Sequence, residues 1–224
     1  LENKMDEPKD IFKKHQAQTF PFPSCIEIES ANGSYITDVN GKQYLDFVAG
    51  VSACTLGHSN PIINNAVKQQ LDKYSHVMVY GEYVQSPQYK LAQLLADNLP
   101  ENLSTTYFVN SGTEAIEGAM KLAKRSTGRS EIISCKDSYH GSTQGALSIM
   151  GNDEYKSRYR PLLPHCNQII YNDENSLINI TKDTAAVVIE PIQGGTGFVI
   201  PKNNFLLKVR EKEPEKICAY QIFY

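Results

Sequence analysis

The alternation of apolar and polar residues predicts a small antiparallel segment early in the chain, followed by helices. Residues 34–39 and 43–48 alternate with a period of two and are predicted to be β-strands. Asn40 and Gly41 lie between them and are typical of a tight hairpin turn, so the two strands are predicted to pair. From Pro61 onward, apolar residues recur with the period of a helix and predict two amphipathic helices. Their apolar positions are Ile62, Ile63, Ala66, Val67 and Leu71 in the first helix, and Tyr89, Ala92, Leu95 and Ala96 in the second.

After Pro100, apolar runs alternate with helical stretches. The predicted strands are residues 107–109, 131–135, 168–171 and 185–189, and the predicted helices are residues 115–125, 142–150 and 203–212. Nearly continuous apolar strands are typical of a parallel sheet that is buried on both faces. We therefore predict an α/β fold with a mainly parallel sheet and helices on both faces, preceded by a small N-terminal α+β segment. The predicted domains are residues 1–60 and residues 61–224.

Composition and charge exclude several classes of protein. The 224 residues include 22 Lys and Arg and 25 Asp and Glu, so the formal net charge is −3. This balance argues against nucleic acid or an anionic membrane as the main partner. No apolar stretch approaches the roughly 18 residues of a membrane span. The charged N-terminus lacks the apolar core of a secretory signal, so we expect a cytoplasmic protein.

The cysteines give no sign of a metal site or a disulfide framework. There are five, they are widely scattered, and no two form a C-x-x-C pair. Paired spacing is the usual signature of zinc sites and of small disulfide-linked folds. We therefore predict reduced thiols and no metal.

Three short motifs follow predicted strands, where open α/β sheets place their ligands. The first is residues 110–114, before the helix that is predicted to begin near Ala115. Unpaired N–H groups at a helix start can hold an anion, and the hydroxyls of Ser111 and Thr113 can add hydrogen bonds to a phosphate. Ser111 and Glu114 also form a capping box, which begins many helices that bind no ligand.

The second motif, residues 138–142, follows the predicted strand 131–135. An exposed Tyr139 can stack on a planar ring, His140 can donate a hydrogen bond or simply pack, and Gly141 relieves crowding. The alternative is a surface loop with a satisfied histidine.

The third motif, residues 190–197, begins with Glu190 directly after an apolar strand. A carboxylate in such a place is costly unless it is paired or used. Pro191 and the two glycines at 194 and 195 give the loop an irregular shape. The alternative is an ordinary turn with Glu190 in a structural ion pair.

In this order and spacing, the motifs resemble the class III aminotransferases, which are pyridoxal-phosphate enzymes of fold type I. Residues 44–50, 56–61 and 119–123 add to the resemblance, which extends from about residue 20 to about 210. It implies that backbone N–H groups of the first motif hold the phosphate of pyridoxal 5′-phosphate and that the tyrosine stacks on its pyridine ring. The cofactor-binding residues it implies are Ser111, Gly112, Thr113, Tyr139, His140 and Glu190.

The resemblance also implies an activity and partners. Such enzymes transfer an amino group from a small-molecule donor to a keto or aldehyde acceptor, and a homodimer is expected. Members that act on ornithine, acetylornithine or 4-aminobutyrate have an arginine where this chain has Ser142 and a glutamate where it has Gly195. Both departures indicate a different amine or ω-amino acid as the donor.

The end of the sequence departs from the family. The resemblance implies a later aspartate that pairs with the pyridine nitrogen and a later lysine that forms the Schiff base. The stretch 217–224 contains neither. We therefore predict an N-terminal half only, truncated, with no catalytic residue, weak cofactor binding and little or no transaminase activity.

Three other interpretations stay open at this point. Within the same cofactor class, the chain is an aminomutase or a decarboxylating transaminase. From another class, it is a non-catalytic remnant that associates with itself through a sheet edge and residues 217–224. A third is a plain phosphate-binding α/β module.

Overall fold

A computed structural model describes residues 7–78 and 80–212. They form two compact units that divide between Tyr83 and Val84. The domain boundary predicted after residue 60 stays a prediction.

The first unit contains a three-stranded antiparallel sheet in the order β1-β2-β3. Its elements are α1 (Pro8–His15), β1 (Ile28–Asn32), β2 (Tyr35–Asp38), β3 (Gln43–Leu45), the short turn α2 (Ala49–Ser52) and α3 (Pro61–Leu71). The predicted hairpin is confirmed, since Thr37 pairs with Gln43 across the turn. Asp38 stabilises that turn by accepting hydrogen bonds from the backbone N–H groups of Asn40 and Lys42, each 2.9 Å long. The alternation did not predict β1.

Helix α3 begins where the sequence predicts it. Asn60 caps it by accepting a hydrogen bond from the Ile62 N–H at 3.0 Å, and Pro61 occupies the first turn, where its missing N–H costs nothing. No residue of α3 is buried, and Ile62 is 80% exposed. The apolar face that predicts the helix is therefore open in this structure.

The second unit contains a parallel three-stranded sheet in the order β5-β4-β6. Its elements are α4 (Ser86–Asn98), α5 (Gly112–Thr127), β4 (Glu131–Cys135), α6 (Gln144–Ser148), α7 (Asp153–Lys156), β5 (Cys166–Ile169), β6 (Thr184–Val187) and α8 (Phe205–Lys212), with 3-10 turns at Ser157–Tyr159 and Glu174–Asn179. The predicted parallel sheet is confirmed.

Helices cover both faces of this sheet, as predicted. Successive residues of a strand point to opposite faces, and in β4 each face carries a buried isoleucine. Ile132 belongs to the core that α5 and α6 cover, together with Met120 of α5. Ile133 belongs to the core on the other face, together with Phe205 of α8.

The predicted strand at residues 107–109 is wrong. These residues form neither strand nor helix, and no strand in the described part of the chain pairs with them. Tyr107 is 79% exposed, although its ring lies close to Gly118 of α5. The apolar run has the propensity of a strand, but a strand exists only where a neighbour supplies hydrogen bonds.

Two further predictions concern the stretch 217–224 and membrane-spanning segments. The stretch 217–224 lies outside the described residues. Within 7–78 and 80–212, no helix is both long enough and apolar enough to span a membrane.

Candidate functional site

The start of helix α5 presents two hydrogen-bond donors that the protein leaves open. Ser111 is the N-cap, and its Oγ accepts from the Glu114 N–H at 3.3 Å. The Glu114 carboxylate accepts from the backbone N–H of Asn110 at 2.7 Å and from its Nδ2 at 3.1 Å. Among the described residues, nothing accepts a hydrogen bond from the N–H groups of Gly112 and Thr113. Ser111 therefore caps the helix, while the N–H groups of Gly112 and Thr113 have an arrangement that can bind an anion.

Gly141 brings the second motif against this helix start. Its φ is +123°, and a Cβ built there would lie 2.4 Å from Thr113 Oγ1 and 3.0 Å from Thr113 Cα. No side chain fits at such distances, so the loop approaches α5 as closely as a backbone can. The first two motifs, which are distant in sequence, are thus neighbours in space.

A network of hydrogen bonds joins the same loop to α5. Thr143, the N-cap of α6, has its Oγ1 2.7 Å from Thr113 Oγ1 and donates from its N–H to that oxygen at 3.3 Å. Thr143 Oγ1 also donates to Glu117 Oε1 at 2.6 Å. The loop is therefore held to the helix by side chains as well as by close packing.

Glu190 connects the third motif to the second. Its Oε2 accepts from the Tyr139 N–H at 3.2 Å, and its Oε1 accepts from the Gly194 N–H at 3.3 Å. Gln193 adds a bond from Nε2 to the Lys136 carbonyl at 3.0 Å. In the structure, Glu190 thus links two loops through hydrogen bonds to backbone N–H groups. The alternative drawn from the sequence was an ordinary turn with Glu190 in a structural ion pair. Tyr139 is 53% exposed, so a ligand can reach this residue.

His140 differs from its neighbour in that it is buried. It is 3% exposed, and no described residue bonds to its Nε2. Burial lowers the pKa of His140 to about 4, so the imidazole is neutral at pH 7. Contact between the His140 ring and a cofactor stays a prediction. The burial of this ring favours a structural role in the loop that contains it.

Two neutral groups lie near Glu190. Burial, together with the nearby Glu190 charge, raises the pKa of the Cys135 thiol to about 12. Burial also raises the pKa of Tyr171, whose hydroxyl donates to the Pro191 carbonyl at 2.8 Å. Cys135 is therefore a protonated core thiol, which is not a nucleophile.

Sequence reasoning missed Glu117, Thr143 and Gln193. One signal was available, because Gly145 stands inside a predicted helix, where glycine costs stability unless something needs the space. The structure shows what occupies it: a Cβ at Gly145 would lie 2.2 Å from Glu117 Oε2.

The fold places this chain among the fold type I transaminases. A transaminase from the marine bacterium Virgibacillus superposes with a TM-score of 0.83 at 27% identity, over 91% of this chain and 52% of that one. Taurine:2-oxoglutarate aminotransferase from Bifidobacterium kashiwanohense, solved in complex with PLP and glutamate, superposes with a TM-score of 0.80 at 26% identity, over 92% of this chain and 53% of that one.

The sequence identifies the family. The aminotransferase class-III family model matches residues 17–219, so the chain belongs to the class III aminotransferases, which depend on pyridoxal 5′-phosphate. Acetylornithine aminotransferase from Methanopyrus kandleri is 38% identical over 208 residues, which are 92% of this chain and 52% of that protein. The chain spans about half the length of the curated relatives it matches.

Proposed function

We propose that this chain supplies the cofactor-binding half of a pyridoxal-phosphate-dependent aminotransferase. The observation that carries the proposal is the contact between Gly141 and Thr113. Because of it, two open backbone donors at a helix start and an exposed tyrosine belong to the same small site. An anionic, ring-bearing ligand needs that combination.

The residues fit the phosphate group of the cofactor. The N–H groups of Gly112 and Thr113 have no acceptor among the described residues, and the partial positive charge of a helix start favours an anion. Ser111 Oγ uses one lone pair to accept from Glu114, so its proton is available to a phosphate oxygen. Together these groups offer three donors to one anion.

The residues also fit the ring of the cofactor. The half-exposed Tyr139 offers an aromatic face, and Glu190 fixes the backbone of that tyrosine through its N–H. When bound, pyridoxal phosphate supplies the electron sink that amino-group transfer needs. The residues of this chain bind and orient it, and they hold the loop that contains Tyr139 in place.

A binding experiment tests this proposal. Pyridoxamine 5′-phosphate, followed by its own fluorescence anisotropy, is expected to bind the 224-residue chain. Tyr139→Ala is expected to weaken this binding about fivefold, because ring stacking is worth about 1 kcal/mol. Tyr155→Ala is the matched control, since Tyr155 is 61% exposed, lies on helix α7 and belongs to none of the three motifs. Inorganic phosphate that competes as well as the cofactor would support a plain phosphate-binding module instead.

We also propose that the 224-residue polypeptide by itself does not turn over substrate. The described site supplies groups that bind, and the family resemblance places the lysine and the aspartate later than Tyr224. Incubation with pyridoxal phosphate, 2-oxoglutarate and an amino donor is expected to give no glutamate. Stoichiometric labelling of one lysine by the cofactor and borohydride would contradict this.

The donor class is a further part of the proposal. Ser142 and Gly195 favour an amine or ω-amino acid other than the ornithine type. The name of the Methanopyrus relative favours acetylornithine instead, so this ω-amino acid is the second candidate. Glutamate formed with acetylornithine, and with no other donor, would decide for the second candidate and against the proposed impairment.

We propose a homodimer as the assembled state. Large apolar side chains lie exposed on both units, among them Phe47 at 90% and Phe198 at 77%. Contiguous exposed apolar surface is typical of a covered interface. Sedimentation velocity is expected to show a discrete dimer, whereas polydisperse aggregates would support the remnant interpretation.

A further inference from the structure

One oxygen of Glu117 collects three hydrogen bonds between two helices. Oε1 accepts from the Thr143 hydroxyl at 2.6 Å, from the Gly145 N–H at 2.7 Å and from the Ala146 N–H at 3.2 Å. Thr143 is the N-cap of α6, and Gly145 and Ala146 follow in its first turn. Glu117 of α5 therefore satisfies the start of α6, which N-cap side chains usually satisfy from within their own helix.

These contacts fix the direction of two hydroxyl protons. A carboxylate accepts hydrogen bonds and donates none, so the Thr143 proton points at Glu117. In the 2.7 Å contact between the two threonine hydroxyls, the Thr113 hydroxyl must then be the donor. Thr113 Oγ1 also accepts from the Thr143 N–H at 3.3 Å. The Thr113 proton is thus committed inside the protein and does not point at a bound phosphate.

The close packing of the Glu117 side chain requires a residue without a side chain at position 145. A Cβ at Gly145 would lie 2.2 Å from Oε2 and 2.7 Å from Cδ of Glu117. The glycine in α6 therefore leaves the space that the carboxylate fills. Gly141 makes the same kind of contact with Thr113 on the other side of the threonine pair.

We propose that Glu117 is a positioning residue of the cofactor site. Through Thr143 and Thr113 it locks the stacking loop, residues 139–143, onto the start of α5. It also leaves the backbone N–H of Thr113, and not its hydroxyl, to bind the phosphate. This inference rests on the proposed function, because the ligand it positions is the proposed cofactor.

Two substitutions at Glu117 separate positioning from bulk. Glu117→Gln keeps an acceptor at Oε1 and is expected to retain wild-type binding of pyridoxamine 5′-phosphate. Glu117→Leu keeps the approximate size but leaves three donors unsatisfied, and it is expected to weaken binding about tenfold. Hydrogen exchange of peptides that cover residues 138–147 is expected to accelerate in the leucine variant and to stay slow in the glutamine variant.

Glu131→Leu is the matched control. Glu131 also accepts three side-chain hydrogen bonds, from Asn167 at 2.7 Å, Thr181 at 3.4 Å and Thr184 at 2.5 Å, but it lies at the opposite end of β4. The Glu131→Leu substitution is expected to lower the melting temperature of the protein without changing its affinity for pyridoxamine 5′-phosphate. Equal effects of both leucine variants on affinity would reduce Glu117 to a general structural role and overturn the proposal.

A double-mutant cycle tests the committed proton of Thr113. If the Thr113 hydroxyl acts only through this network, Thr113→Val adds nothing to Glu117→Leu, because both break the same lock. Independent, additive losses of affinity would show that the hydroxyl binds the phosphate directly, which overturns that part of the proposal.

The failure of this inference is distinguishable from the failure of the proposed function. If wild-type chain binds no pyridoxamine 5′-phosphate, the proposed function fails, while the exchange data still report on the lock. If wild-type chain binds and folded Glu117→Leu binds equally well, the inference alone fails. Gly145→Ala provides a second route if the leucine variant does not fold, since its methyl group displaces the carboxylate and is expected to weaken binding in the same direction.

Discussion

Gly141 is the residue at which two parts of the site come into contact. It combines a φ of +123°, which L side chains rarely adopt, with a neighbour that leaves no room for a methyl group. A side-chain movement cannot remove the whole clash with an added Cβ, because one of the crowded atoms is the backbone Cα of Thr113. A sequence shows the glycine, but only coordinates show what presses against it.

Gly141→Ala is therefore expected to separate the stacking loop from α5. Binding of pyridoxamine 5′-phosphate is expected to weaken at least about tenfold, because a displaced loop loses the ring contact and the phosphate contacts together. Gly195→Ala is the control, since nothing lies within 4 Å of the Cβ it would add. Fluorescence titration of both variants measures the difference, and equal affinities would argue against the loop contact.

His140 makes the stability of the second unit depend on pH. Burial lowers its pKa from 6.5 to about 4, so the unfolded chain takes up a proton at a higher pH than the folded chain does. The contribution of neutral His140 to the free energy of unfolding is therefore fully present above pH 6.5. It is lost as the pH falls toward 4. Its size is about 3 kcal/mol at most.

We expect the free energy of unfolding to fall across this window, and we expect the His140 ring to show no NMR titration above pH 5. A ring that titrates near 6.5 in the folded chain would mean that it is solvated. His140→Phe, if folded, serves as the comparison because it removes this proton from the pH dependence.

At the scale of elements, the first turn of α5 contains both a helix cap and backbone donors that no described residue uses. Ser111 caps the helix through an oxygen lone pair and has its proton left for an anion. The motif alone does not decide between a capping box and a phosphate site. Capping is compatible with the proposed phosphate site, since Glu114 bonds to Asn110 and no described residue accepts from the N–H groups of Gly112 and Thr113.

Ser111→Ala is expected to weaken both functions. It removes the cap, which costs about 1 kcal/mol of unfolding free energy, and it removes one donor to the phosphate. Ser111→Thr keeps the hydroxyl and is expected to preserve both properties. Urea unfolding and pyridoxamine 5′-phosphate titration measure them separately, and unchanged affinity in the alanine variant would show that Ser111 only caps.

At the scale of the whole molecule, the chain consists of two compact units that divide between Tyr83 and Val84. The residues at the division are well exposed: Tyr80 is 84% exposed, Tyr83 is 54% and Val84 is 90%. Irregular, exposed backbone is where proteases cut first.

Limited chymotrypsin digestion is therefore expected to cut early after Tyr80 or Tyr83, and mass spectrometry identifies the site. Tyr171 is the internal comparison, because it is 8% exposed and its hydroxyl is bonded, so cleavage there is expected to be late. Early cleavage after Tyr171 would argue against the compactness of the second unit.

The sequence by itself determined the class of fold, the family and most of the elements. The apolar run at residues 131–135 predicts a strand buried on both faces, and β4 has the same bounds. The prediction succeeds because the local pattern and the tertiary burial agree there. The order and spacing of the three motifs indicate the family because they are local features of the chain. The run at residues 107–109 shows the limit, since a strand also needs a neighbour that no local pattern can supply.

Tertiary structure alone decided how the motifs meet. The contact of Gly141 with Thr113 joins the first two motifs, the Glu190 bond to the Tyr139 N–H joins the second and third, and Glu117 holds two helix starts together. These contacts join residues that lie 28 to 51 positions apart in the chain. Hydrophobic periodicity reports only which face of a helix or strand is buried. His140 and Tyr139 lie in a loop, so the packing of that loop decides that His140 is buried and that its neighbour Tyr139 is exposed.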